Sequence, residues 1–211
     1  MSTGKDGIRK LLCLAFFQAG WFACVLSAAA GKPELGAVSI LSWVTVYVFT
    51  THDYRNELLL IGSALAIGYL FDSALALTGI LGFSEQALTT IGSPSTYWML
   101  ALWINLAAIL RTALDWLSGR FVMAALLGGI IGPPSYLAGE HLGALHLGES
   151  LYLTIACVAV EWALAMPLLV WLSARLSPDS PASAIGETAG PLLNRSSTHG
   201  APAPSSWPCS G

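Results

Sequence analysis

The sequence predicts an all-α polytopic membrane protein, a transmembrane helical bundle of six spans followed by a disordered C-terminal tail. Three observations predict it. Hydrophobic residues make up 55% of the 211-residue chain and charged residues only 10%, whereas a soluble domain carries about 25% charge to face water. The apolar residues come in long blocks that a soluble core of this size does not need. Turn-forming residues sit between the blocks.

A helix rises about 1.5 Å per residue, so about 20 residues cross a hydrocarbon core of about 30 Å. After a leader at 1–10, apolar blocks run at about 11–30, 35–50, 58–81, 97–117, 121–142 and 151–172. The second is the shortest, but it is free of charge from Ala37 to Thr51. Gly31-Lys32-Pro33, Thr51 to Asn56, Phe83 to Thr96, Leu117 to Arg120 and Gly143 to Ser150 supply the links. Links this short suit antiparallel neighbours. The membrane domain therefore covers 11–176. From Ser177 to Gly211 Pro, Ser, Ala and Gly dominate, the composition of a disordered tail.

The first block has features of a signal peptide: a basic leader (Lys5, Arg9, Lys10) and Ser27-Ala28-Ala29-Ala30 before Gly31. Cleavage there would leave five spans. Its apolar stretch exceeds the usual length of about 7–15 residues, and it holds Gln18 and Trp21. The expectation is an uncleaved span.

The basic residues set the orientation. With the N-terminus in the cytoplasm, eight of the 9 Lys and Arg residues are cytoplasmic, and only Lys32 is outside. The positive-inside rule favours this arrangement, with both termini cytoplasmic in an inner (plasma) membrane. Tyr97, Trp98 and Tyr152 mark the outer interface, and Trp116 and Trp171 the inner one. The lipid bilayer is the expected partner. No basic run points to nucleic acid, and no cofactor or metal motif is present. Cys13, Cys24 and Cys157 lie in apolar blocks and Cys209 in the tail, none with metal-ligand spacing.

Charged side chains at mid-bilayer cost about 2.5–3.5 kcal/mol on insertion scales, so those present have partners or a task. Asp72 lies near the middle of span three and Glu161 near the middle of span six. Gln18 and Asn105 are amides in spans one and four, and Ser135 and Tyr136 follow Gly132-Pro133-Pro134 in span five. These six residues form the candidate midplane polar cluster. The two acids have three readings: interhelical hydrogen bonds, a proton- or cation-handling site, or an enzyme acid. The prolines withdraw backbone donors and predict a kink or a site wall. Arg111 and Asp115, four residues apart, are a candidate ion pair at the inner interface. His141 and His146, beside Glu140 and Glu149, read as a solvated loop. Gln18 and Asn105, and again Asp72 and Glu161, hold corresponding places in the two three-span halves, the pattern of an inverted repeat.

Phe17-Gln18-Ala19-Gly20-Trp21, Leu102-Trp103, Asp115-Trp116-Leu117 and Gly132-Pro133-Pro134-Ser135-Tyr136-Leu137-Ala138-Gly139, followed by Leu142-Gly143-Ala144, occur in this order. In these stretches the chain resembles an uncharacterised bacterial inner-membrane family, domain of unknown function 2878, over roughly Leu11 to Leu176. The resemblance implies a multi-spanning membrane protein without an assigned activity, and a lipid context, because members tend to be encoded near enzymes that modify fatty acyl chains. Where the family leads one to expect an Asn-His-type pair late in span four, this chain has Leu110-Arg111-Thr112.

Three functions follow as expectations: a small transporter or transport accessory using the midplane carboxylates, a membrane-embedded enzyme or subunit in lipid modification, or a structural or assembly protein without a site. No His-Glu-x-x-His, Gly-x-Ser-x-Gly or phosphate loop occurs, so no enzyme motif supports the second.

Overall fold

The computed structural model describes residues 3–83 and 95–177. The tail expected at 177–211 lies, from 178 on, outside the described residues, as do positions 84–94 of the long third link. Six helices follow one another: α1 (Thr3–Ala29), α2 (Pro33–Thr50), α3 (Tyr54–Leu77), α4 (Tyr97–Leu110), α5 (Phe121–His141) and α6 (Leu151–Arg175). A 3-10 turn at Asp115–Leu117 follows α4. Two short strands, β1 (Leu81–Gly82) and β2 (His146–Leu147), pair antiparallel, with Leu81 opposite Leu147 and Gly82 opposite His146. The all-α bundle predicted from the sequence is the observed architecture.

Local chemistry sets the helix ends. Gly31 has φ +70°, a conformation that a β-carbon disfavours. It lets the Lys32 amide donate to Ser27 O at 2.8 Å and the Gly31 amide to Ala28 O at 3.0 Å, the double closure that ends a helix at glycine. The same pair of bonds closes α3 at Gly79 and α5 at Gly143. Pro33 then starts α2, where its missing N–H costs nothing.

Five helices, all except α4, are long and apolar enough to cross a membrane. Their outward faces carry bare apolar side chains, among them Phe49 at 85% exposure and Leu77 at 77%. Such a surface belongs against lipid. The fourth span departs from expectation. It was predicted over 97–117, but α4 has only 14 residues, about 21 Å of helix. The chain then turns: the Thr112 hydroxyl bonds back to Ile109 O at 3.3 Å, and the Thr112 amide donates to the same carbonyl. A short span is tolerable here because α4 is the bundle's centre. It packs on α1, α2 and α3 and touches α6, and 10 of its residues are buried. Irregular backbone at membrane depth survives where protein surrounds it.

The packing pattern also overturns the inverted repeat. Under that symmetry α4 would meet α5 as α1 meets α2. The α1–α2 contact is extensive, but α4 and α5 share no extended contact among the described residues. Nor does span five break at its prolines: α5 runs continuously through Pro133 and Pro134.

Candidate functional site

The midplane cluster begins with a close approach of two backbones. Gly68 on α3 faces Trp103 on α4, and a β-carbon at position 68 would overlap the Trp103 ring. The indole therefore lies flat against α3, one helical turn from Asp72. Its Nε1–H donates to Asp72 Oδ2 at 2.8 Å. From α5, the Tyr136 hydroxyl donates to Asp72 Oδ1 at 3.0 Å. Asp72 has no exposed surface, and both of its oxygens have a donor. Three helices are joined through this one carboxyl group.

The second acid differs. Glu161 on α6 is 4% exposed, and neither of its carboxyl oxygens has a hydrogen-bond partner among the described residues. It is close enough to Asp72 for the two to interact electrostatically. The next residue, Trp162, stacks on Trp103 with ring centroids 5.1 Å apart and planes 12° from parallel. Gly128 and Gly132, four residues apart on one face of α5, make the room for Trp162, since a β-carbon at either would strike it. This is the small-residue packing by which membrane helices approach closely. The Trp162 N–H lies beside the Tyr136 hydroxyl but outside hydrogen-bond geometry.

The other predicted members of the cluster separate from this group. Asn105 faces the opposite side of α4. It donates to Phe17 O at 2.8 Å and accepts from the Trp43 indole at 3.0 Å, joining α1, α2 and α4. Ser135 donates to Gly132 O within its own helix at 2.6 Å. Gln18 is exposed and makes no hydrogen bond among the described residues. The cluster of six is thus a trio, Asp72, Tyr136 and Glu161, with Asn105 anchoring a different seam.

The predicted Arg111–Asp115 pair does not form. Because α4 ends at Leu110, the two residues no longer share a helical face. Arg111 instead reaches Asp53 at 2.8 Å and Glu57 at 3.6 Å, and Tyr47 also donates to Glu57 at 2.9 Å. Asp115 pairs with Lys10 at 2.7 Å. Arg111, Tyr47, Glu57 and Arg9 line a cavity of about 540 Å³ at this end of the bundle.

A second cavity, of about 510 Å³, lies beside the Asp72 trio. Leu14, Gln18 and Trp21 of α1 line one wall, Ile131, Gly132 and Pro134 of α5 the other, and Trp98, Trp103 and Trp162 the interior. Ser135 and Tyr136 also face it, and no charged residue lines it. It is a cleft because α1 packs on α2 and α4 while α5 packs on α6, and α1 and α5 share no extended contact among the described residues. The rim residues Leu14, Gln18, Ile131 and Pro134 are exposed. The opening therefore faces sideways, between two apolar helices.

The sequence reading picked out Asp72, Tyr136 and Glu161 but assigned no site role to Trp103, Trp162, Gly68 or Gly128. The signals were present: a small-xxx-small pair at Gly128 and Gly132, and a tryptophan, Trp162, directly after Glu161.

Apolar spans, a lipid-facing belt and a sideways cleft define a polytopic helical membrane protein. The chain belongs to the family described as Protein of unknown function (DUF2878), which matches residues 10–168 of its 211. The match takes in every residue of the cleft and of the Asp72 trio. No curated protein and no solved structure matches the chain.

Proposed function

We propose that this protein holds a lipid chain in the cleft between α1 and α5. The observation that carries the reading is the cleft itself. Its volume of about 510 Å³ falls in the range of about 300–1,000 Å³ for small-molecule sites. Its lining is almost wholly apolar, with Gln18, Ser135 and Tyr136 as isolated polar groups. In a bundle whose outer surface is solvated by lipid, an apolar sideways opening fills from the bilayer. The reading develops the lipid-handling expectation. A transport path through the midplane acids has less support, since Asp72 and Glu161 are buried and neither lines the cleft.

The protein sits in the inner membrane of a bacterium with both termini in the cytoplasm. The eight-to-one distribution of basic residues supports this orientation. The ion pairs Lys10–Asp115 and Arg111–Asp53 agree with it, because they join segments that the orientation assigns to one side.

Native mass spectrometry of the detergent-solubilised protein tests the proposal. A chain-bearing lipid is expected to stay bound through purification. Trp at both rims (Leu14→Trp with Ile131→Trp) closes the mouth, and both positions are exposed, at 46% and 56%, so the fold tolerates the change. Lipid retention is expected to disappear in that variant. Equal retention by both proteins, or none by either, counts against the cleft as a lipid site.

A further inference from the structure

The cavity of about 540 Å³ at the end of the bundle where α1 begins is built from two matching helix faces. Arg9, Leu12, Cys13 and Phe16 line it from α1, and Trp43, Val46, Tyr47 and Thr50 from α2. Each set has the i, i+3, i+4, i+7 spacing of one helix face. The two helices run in opposite directions, since Gly36 meets Cys24 while Trp43 meets Phe16. One end of the cavity is therefore aromatic and the other polar. Phe16 and Trp43 stack with ring centroids 5.9 Å apart and planes 18° from parallel, and they shut the deep end. Arg9 and Thr50 stand at the mouth, about 10 Å of helix away along each chain. That depth suits a ligand the size of a headgroup and not a lipid chain.

Charge decides what such a ligand carries. Arg9, Arg111 and Glu57 are the charged residues of the lining. Arg111 is held by Asp53 at 2.8 Å and Glu57 at 3.6 Å, and Glu57 also accepts from Tyr47. Two of the other hydroxyls are turned into the protein: Thr50 donates to Tyr47 O and Thr112 to Ile109 O. Arg9 differs. It is exposed, and neither Asp6, a turn earlier on α1, nor any other acid pairs with it among the described residues. A guanidinium is always charged and only donates, so it selects an anionic acceptor. Thr51, half-buried at the same mouth, adds a hydroxyl that no described residue engages. The neighbouring Lys10 pairs with Asp115, and both are 44% exposed, while the exposed Leu12 and Val46 open the cavity's walls toward lipid. At such a boundary between apolar and charged surface, the anions that gather at basic side chains are phosphates.

We propose that this cavity binds a phosphate group, with Arg9 as the cation that holds it and Thr51 as a second donor. The carrier is a lipid headgroup or a soluble phosphate ester. The site is separate from the cleft between α1 and α5 and does not depend on it.

The test reads the thermal midpoint of the full-length protein in a neutral detergent, because a ligand of the folded state raises it in proportion to its affinity and concentration. Three probes are titrated: glycerol phosphate, a short-chain phosphatidylglycerol, and the diacylglycerol of the same chains, which lacks the phosphate. Each is compared between the natural protein and Arg9→Gln, so that binding elsewhere cancels. Arg9 is exposed and unpaired among the described residues, and the variant keeps the fold. The apparent affinity for phosphatidylglycerol is expected to fall about fivefold, the worth of one basic side chain beside an anionic lipid. The affinity for diacylglycerol is expected to stay the same. An equal fall for glycerol phosphate supports the site with a soluble ester as carrier, and a fall for phosphatidylglycerol alone supports it with a lipid headgroup. If neither phosphate probe loses affinity, or diacylglycerol loses as much, the proposal is overturned. It is also overturned if Arg55→Gln, an exposed cation at the same end of the bundle but outside the lining, weakens phosphatidylglycerol as much as Arg9→Gln does.

Discussion

The seam around Asp72 and the turn of α6 around Glu161 are two answers to one problem. Each buries an acid near mid-span. At Asp72 the bundle supplies two donors from two other helices, at 2.8 and 3.0 Å. At Glu161 it supplies none among the described residues. The difference lies in what the neighbours can present. A glycine lets the Trp103 indole lie against α3 beside Asp72, while the glycines of α5 serve to seat Trp162, whose ring stacks on Trp103 and whose N–H turns toward Tyr136. One acid is a structural joint. The other is a polar group that the packing leaves without a hydrogen-bond partner among the described residues.

Substitutions test that contrast. The largest effect is expected at Gly68→Leu, whose side chain would occupy the space of the Trp103 ring. A destabilisation of about 3 kcal/mol or more is expected, the upper range for overpacking, with loss of monodisperse protein on size exclusion. Asp72→Leu is next. It leaves the Trp103 N–H and the Tyr136 O–H buried without acceptors, at about 1–3 kcal/mol for each such group, read as a fall in the thermal midpoint in detergent. Arg111→Leu follows. It strips the cation from Glu57, which is 2% exposed, and from Asp53, and is expected to cost about 1–3 kcal/mol because Arg111 is partly exposed. Glu161→Met is expected to be neutral or slightly stabilising, within about 1 kcal/mol, since no hydrogen bond is lost. If it costs as much as Asp72→Leu, the contrast between the two acids collapses. Lys10→Ala, which breaks a pair that is 44% exposed on both sides, is expected to change stability by less than about 1 kcal/mol.

The comparison also marks where the sequence was legible. Composition and block length were enough for six helices and their order, because the spacing of apolar residues and the glycines at 31 and 143 act locally. The true length of α4 was hidden: its apolar run continues past Leu110, and only burial on several sides lets the helix stop early. The Arg111–Asp115 pair was a local inference, and it failed with that helix end. Asp72, Tyr136 and Glu161 were legible as expensive polar residues, but their partners come from other helices, which no spacing along one chain reveals. The inverted-repeat pattern came from evenly spaced spans rather than from matching contacts. The cleft was not legible at all. It arises because α1 and α5 share no extended contact among the described residues.

The most direct test of the lipid cleft uses the tryptophans already in place. Uniform fluorotryptophan labelling gives a fluorine resonance for each of the 8 Trp residues, assigned by Trp→Phe substitution. A chain lipid with a spin label on its hydrocarbon is then added at a low ratio to unlabelled lipid. Trp103 and Trp162, which line the cleft, are expected to broaden strongly. Trp43, which bonds to Asn105 on the other side of α4, is expected to stay sharp. Broadening confined to the lipid-facing Trp116 and Trp171, which are 44% and 42% exposed, with Trp103 and Trp162 unchanged, would contradict a lipid chain in the cleft.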